Sequence, residues 1–175
     1  MKKKKTNVKK YALTAVFSAL SCALMLITNF ADTASLSVAA IAALSVLILL
    51  CEYGVTSAVG CYAVTSVLSL IVCPLKSAPI AFTAFFGIYP LVKRIAETKS
   101  KLAKLLIKAS ALVIAVTAYT ASTLIFFPEE FASHPIYYYL FVPVCALAFV
   151  LYDRCLTLFI RVYAIKLRPK IAKYL

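Results

Sequence analysis

The sequence has no tryptophan, one histidine, three glycines and six acidic residues among its 175 positions. Each shortage narrows the possible chemistry. Three glycines do not make a glycine-rich phosphate loop, so nucleotide hydrolysis by this chain alone is not expected. The acids are scattered and form no catalytic constellation. Ser133 adjoins His134, but two neighbours in a loop are weak ground for a nucleophile and its base. An enzyme is therefore not expected. The single histidine lies far in sequence from most of the cysteines, and Cys22, Cys51, Cys61, Cys73, Cys145 and Cys155 form no C-x-x-C pair. These spacings argue against a metal site, and the cysteines read as small apolar packing residues. No cofactor is expected. Without tryptophan, tyrosine must supply any aromatic belt at a membrane interface.

What is abundant is apolar. Hydrophobic residues make up 64% of the chain and charged residues 14%, with a mean hydropathy of +0.97. A soluble domain usually carries about 25% charged residues. The 19 lysines and arginines outnumber the six acids and gather in three clusters, Lys2–Lys10, Lys93–Lys108 and Arg154–Lys173. Stretches of about 20 residues with almost no ionic side chains separate them, long enough to span hydrocarbon as helices. Basic clusters alternating with apolar spans point to topology and anionic head groups. With no recognition module beside the charge, nucleic acid is not an expected partner, whereas the lipid bilayer is.

The fold class expected is all-α, a polytopic membrane bundle of six transmembrane helices with both termini cytoplasmic. It forms a single integral membrane domain over 1–175. A basic tail (1–10) precedes a first span of about Tyr11–Phe30. That span resembles a signal peptide at its start but is long for one, and five more follow. The second covers about Ser35–Leu50 and closes in a turn at Cys51–Gly54. The third runs from about Val55 to Cys73, where Pro74 stops it. The fourth, about Ala78–Val92, carries Pro90 near its end, where a kink or stop is expected. The basic stretch of about 93–104 is expected to be cytoplasmic, with Arg94–Lys104 an amphipathic helix lying on the membrane surface. The fifth span follows from about Leu105 to Phe127. The sixth begins near Tyr137, is expected to kink at Pro143, and ends near Tyr152 or Tyr163, leaving a basic tail of about 164–175. With the N-terminus inside, six spans put 18 of the 19 bases on the cytoplasmic side and leave only Lys76 outside, as the positive-inside rule requires.

Three features stand out within this plan. Ala15, Ala19 and Ala23 recur at four-residue spacing, a smooth ridge for close helix approach, either to a partner or within the bundle. On the outer side, Asn29, Asp32, Lys76, Glu129, Glu130 and His134 lie near Tyr137, Tyr138 and Tyr139. Aromatics beside a few polar groups suit a small-molecule pocket, although tyrosines also gather at interfaces. Asp153 and Arg154, with Arg161 nearby, read as a topological anchor toward the cytoplasmic end of the sixth span, or as a partner contact.

The opening Lys9-Lys10-Tyr11-Ala12-Leu13-Thr14-Ala15-Val16-Phe17-Ser18-Ala19-Leu20 resembles that of the substrate-binding S components of energy-coupling factor transporters. Length, six spans and the lack of a soluble domain match the same family in plan. The resemblance implies a bacterial plasma-membrane protein that captures a vitamin or similar small solute at the extracellular face. It would then topple within the membrane. Its partners would be a transmembrane coupling subunit and two ATPase subunits. The alanine ridge Ala15, Ala19 and Ala23 would be the docking face, matching the A-x-x-x-A of that family. Two rival classes share the composition. A membrane scaffold of an envelope complex would need no outer pocket. A small ion-coupled transporter would usually carry ionic residues near mid-membrane.

Overall fold

A computed structural model describes residues 2–30, 35–126 and 135–167, which are helical apart from short turns. Among the described residues, four stretches are long and apolar enough to cross a membrane: Val8–Phe30, Ser35–Glu52, Val55–Val72 and Pro143–Lys166. The chain is thus an all-helical membrane protein. It divides into two compact units, Met1–Phe127 and Pro128–Leu175.

In the first unit, α1 (Lys2–Ile27) ends in a 3-10 turn at Thr28–Phe30. The basic tail is continuous with this helix. Helix α2 (Ser35–Glu52) stands at the centre. It buries Ala39, Ala42, Ala43, Ser45, Val46, Leu47, Leu49 and Leu50, a broad face of the helix, and α1, α3, α4 and α5 all pack on it. Helix α3 (Val55–Val72) packs on both α1 and α2. Lipid tails are as apolar as leucine, so helices in a membrane associate through close packing and hydrogen bonds rather than hydrophobic exclusion. The composition of the seams follows. Ser18 and Ser21 of α1, Thr28 of the 3-10 turn after it, and Ser57, Ala58, Cys61, Thr65, Ser66 and Ser69 of α3 are buried, while the larger Val64, Val67, Leu68 and Ile71 are exposed.

The turn between α2 and α3 is shorter than Cys51–Gly54 suggests. Cys51 and Glu52 complete α2, leaving Tyr53 and Gly54 to reverse the chain. Gly54 has φ of 81°, a left-handed conformation that favours glycine. Burial pushes the Tyr53 phenol up from its usual range, and the Glu52 carboxylate adds to the shift.

The stretch expected as a fourth span, about Ala78–Val92, departs from expectation. It is a broken helix: α4 (Ser77–Ala81), a π turn (Phe82–Phe86), the Gly87-Ile88 link, then α5 (Tyr89–Glu97). Pro90 is not the cause. It sits in the first turn of α5, where its missing N–H leaves no helical bond unmade. The break lies upstream, where the Gly87 N–H reaches back five residues to the Phe82 carbonyl at 2.8 Å. The Tyr62 hydroxyl of α3 donates to the Thr83 carbonyl at 2.8 Å, supplying a partner inside the irregular turn. Glycine is required by contact here: a Cβ at Gly87 would lie 2.7 Å from Tyr62 Cδ2 and 2.8 Å from Phe82 Cε1.

Nor do residues 94–104 form one surface helix. Helix α5 stops at Glu97, Thr98–Ser100 turn, and α6 (Lys101–Phe126) begins. The Thr98 hydroxyl donates to the Ile95 carbonyl at 2.7 Å, satisfying an acceptor at the end of α5. The Ser100 carbonyl accepts the Lys104 N–H at 2.8 Å as α6 starts. The basic stretch therefore closes a helical hairpin.

In the second unit, α7 (Pro135–Val162) runs through Pro143 and passes into a π turn at Tyr163–Leu167. The Phe159 and Tyr163 rings stack with centroids 6.2 Å apart.

The close contacts at Gly87 generate a prediction. Gly87→Ala forces the Tyr62 and Phe82 rings apart and should destabilise the protein by about 1–3 kcal/mol. Gly60→Ala, whose Cβ would meet nothing within 4 Å, should leave the melting temperature unchanged or raised. Thermal unfolding of both variants in detergent checks this, and equal melting would remove the claimed close approach.

Candidate functional site

The most distinctive surface belongs to α1, whose two sides differ in chemistry. Its inward side is hydroxylic. Ser18 donates to the Thr14 carbonyl at 2.8 Å, Ser21 crosses to the Ala42 carbonyl of α2 at 3.2 Å, and Thr28 donates to Met25 at 2.6 Å. Ser18, Ser21, Met25 and Thr28 are buried by this packing. Ala15, Ala19 and Ala23 are all exposed. The ridge therefore does not serve packing within the first unit. Neighbouring Val16, Leu20 and Ile27 are exposed as well, so the row lies within a broad apolar face.

At the C-terminal end of α1, Asn29 is held between two segments. Its amide nitrogen donates to the Leu26 carbonyl at 3.1 Å, and its amide oxygen accepts the Leu75 N–H at 3.2 Å. Lys76 stands beside it in sequence register, one residue past Leu75. Its ammonium donates to the Leu70 and Cys73 carbonyls at 2.7 and 2.6 Å, where a cation complements the negative end of α3. The Cys73 thiol donates to the Met25 carbonyl at 3.5 Å. Asn29 and Lys76 are thus brought to one end of the bundle, where Asn29 and Cys73 join the end of α1 to the end of α3 and Lys76 caps α3. Asp32, Glu129, Glu130 and His134 lie outside the described residues. Tyr137 and Tyr138 fall in the first turn of α7.

The opposite end of the first unit is basic. Arg94 donates to the Leu50 carbonyl at the end of α2 at 3.2 Å. Lys93, only 1% exposed, lies 3.9 Å from Glu97, and Lys104 of α6 lies 4.0 Å from the same carboxylate oxygen. One carboxylate thereby links α5 to α6. The burial of Lys93 is not apparent from charge clustering, which places it in a solvated loop. The available signal is spacing: Tyr89, Lys93 and Ala96 fall on one face of α5 and are all buried. The long apolar stem of lysine suits that burial, with the charged tip reaching toward Glu97. In the second unit, Asp153 is half-buried and Arg154 and Arg161 are exposed. Among the described residues, no three His, Cys, Asp or Glu side chains are placed to share a metal ion.

The chain matches no protein-family model, no curated protein and no solved structure.

The shared carboxylate makes a measurable prediction. Glu97→Gln withdraws the negative charge from a buried ammonium and should cost about 1–2 kcal/mol, discounted for the 40% exposure of Glu97. Lys93→Met in the same chain should recover most of that loss, because the ammonium that needed the charge is gone. A double-mutant cycle on melting temperature reads the coupling. Strict additivity would show that the two side chains do not interact.

Proposed function

We propose that this chain is the membrane-embedded, substrate-binding S component of an energy-coupling-factor-type importer in the plasma membrane of a bacterium. In this reading six helices cross the bilayer with both ends cytoplasmic, and the chain itself catalyses nothing. The observation that carries it is the outward placement of Ala15, Ala19 and Ala23 on a helix whose hydroxyl side faces its own bundle. Small residues leave a shallow surface where a second helix can come close enough for backbone-level packing, the main source of affinity between helices in lipid. Separation of charge gives further support. Lys93, Arg94 and Lys104 cluster at the α2–α5 end of the first unit, while Lys76 caps α3 at the other. That is the bias expected of a chain oriented by its positive residues.

On this reading the coupling subunit docks on the α1 ridge, and two ATPase subunits bound to it supply the energy. A vitamin or similar small solute is captured at the extracellular face. The proposed solute contacts are Asn29, Asp32 and Lys76 in the first unit and, in the second taken by itself, Glu129, Glu130, His134, Tyr137 and Tyr138. One observation favours a second reading, a membrane scaffold without a solute. The Asn29 amide and the Lys76 ammonium already bond to the backbone of α1, α3 and the following loop, as purely structural residues would.

Isolation of the tagged protein from its native membrane in mild detergent separates the two. The S-component reading expects a multi-span coupling protein and paired ATPases to co-purify. Ala15→Leu/Ala19→Leu should reduce their recovery by roughly tenfold, because leucines hold the helices apart, with the melting temperature unchanged since both positions are exposed. Envelope proteins recovered without any ATPase would establish the scaffold instead.

A further inference from the structure

The hairpin of α5 and α6 presents a surface with two chemistries side by side. Arg94, Lys99 and Lys101 are exposed around the Thr98–Ser100 turn. Immediately beside them the apolar Ile95, Leu102, Leu105 and Leu106 are 59–77% exposed. On a helix of 3.6 residues per turn, Lys101, Lys104 and Lys108 share one side of α6, and Leu102, Leu105, Leu106, Ala109 and Val113 occupy the adjoining side. Ala109 and Val113 are exposed too, so the apolar strip continues unbroken down α6. The one carboxylate in the hairpin, Glu97, lies within 4.0 Å of both Lys93 and Lys104, which offsets its repulsion of an incoming anion.

A cationic crown on a continuous leucine strip matches the two parts of a single molecule, a negatively charged head group and its acyl chains. We infer that the α5–α6 hairpin is a binding site for an anionic phospholipid of the leaflet at the basic end of the bundle. The phosphate is held by Lys99, Lys101 and the outward donors of Arg94, and the chains lie along Leu102, Leu106 and Val113. A water-soluble acidic partner would match the lysines but not the exposed leucines. Zwitterionic lipid would match the leucines but neutralise no charge. The site does not depend on which solute, if any, the protein carries, nor on which side of the membrane the basic end faces.

The test uses the full chain, delipidated in neutral detergent and returned to lipid discs made of phosphatidylcholine alone or with phosphatidylglycerol. Phosphatidylglycerol should raise the melting temperature above that in phosphatidylcholine, and the gain should shrink with added salt. Lys99→Ala/Lys101→Ala should weaken retention of phosphatidylglycerol by about tenfold, as expected for two cations near anionic head groups. Lys99→Arg/Lys101→Arg should preserve it. Lys9→Ala/Lys10→Ala removes the same charge from α1 and should leave retention within about twofold if the site is the hairpin. Equal stabilisation by both lipids would overturn the inference. So would equal losses from the hairpin and α1 variants, because either result leaves only a diffuse attraction to charge.

Discussion

In hydrocarbon no water is available to a hydroxyl, an amide or a carbonyl, and the architecture of the first unit follows from that constraint. Among the described residues, the hydroxyls of the helices bond mostly to backbone carbonyls. Thr14, Ser18, Thr83, Thr117, Thr120 and Thr157 reach a carbonyl four residues back, and Ser21 crosses to α2. Residues that can satisfy themselves in this way are small, and their smallness allows α1, α2 and α3 to approach closely. The broken helix from α4 to α5 obeys the same rule. Where the turn widens at Phe82–Phe86, the Tyr62 hydroxyl supplies a donor to Thr83, and Gly87 leaves the Tyr62 and Phe82 rings room beside the break.

The consequence for function lies on α1. A single helix could present its small residues to its own bundle or to a partner, and it carries two different sets. The hydroxyl set turns inward: Ser21 bonds across the seam to Ala42, while Ser18 and Thr28 return to carbonyls of their own segment and fit the seam by their small size. The alanine set, about a quarter-turn or more away, is left outside. Alanine outside is unusual where lipid alone is the neighbour, since larger apolar side chains would contact acyl chains more fully. The exposed valines and leucines of α3 do that. The contrast between these two lipid-facing surfaces is the physical basis for proposing that α1 docks against another protein.

Much of this organisation is readable from residue order. The apolar stretches and the basic clusters between them mark α1, α2 and α3 to within a few residues. Pro74 and Gly54 mark the chain reversals. Periodicity failed where a local rule competed with a tertiary one. Pro90 draws attention as a helix breaker, yet it fits comfortably in a first turn, and the real break depends on Tyr62, a residue from another helix. Charge density made 94–104 read as a surface segment, although the chain turns at Thr98–Ser100 and Glu97 ties both of the hairpin's helices together. Whether Ala15, Ala19 and Ala23 face in or out is not contained in their spacing. It is decided by Ser18 and Ser21, whose burial against α3 and α2 sets the rotation of the helix.

The rotation of α1 is therefore what deserves direct measurement, in intact membranes rather than after extraction. A photoreactive benzophenone side chain placed at Ala19 should, on illumination, form an adduct with a second multi-span protein. The same group at Ser21, which faces Ala42, should give only an internal adduct. Capture of a partner from Ser21 and not from Ala19, or from neither position, would contradict the account.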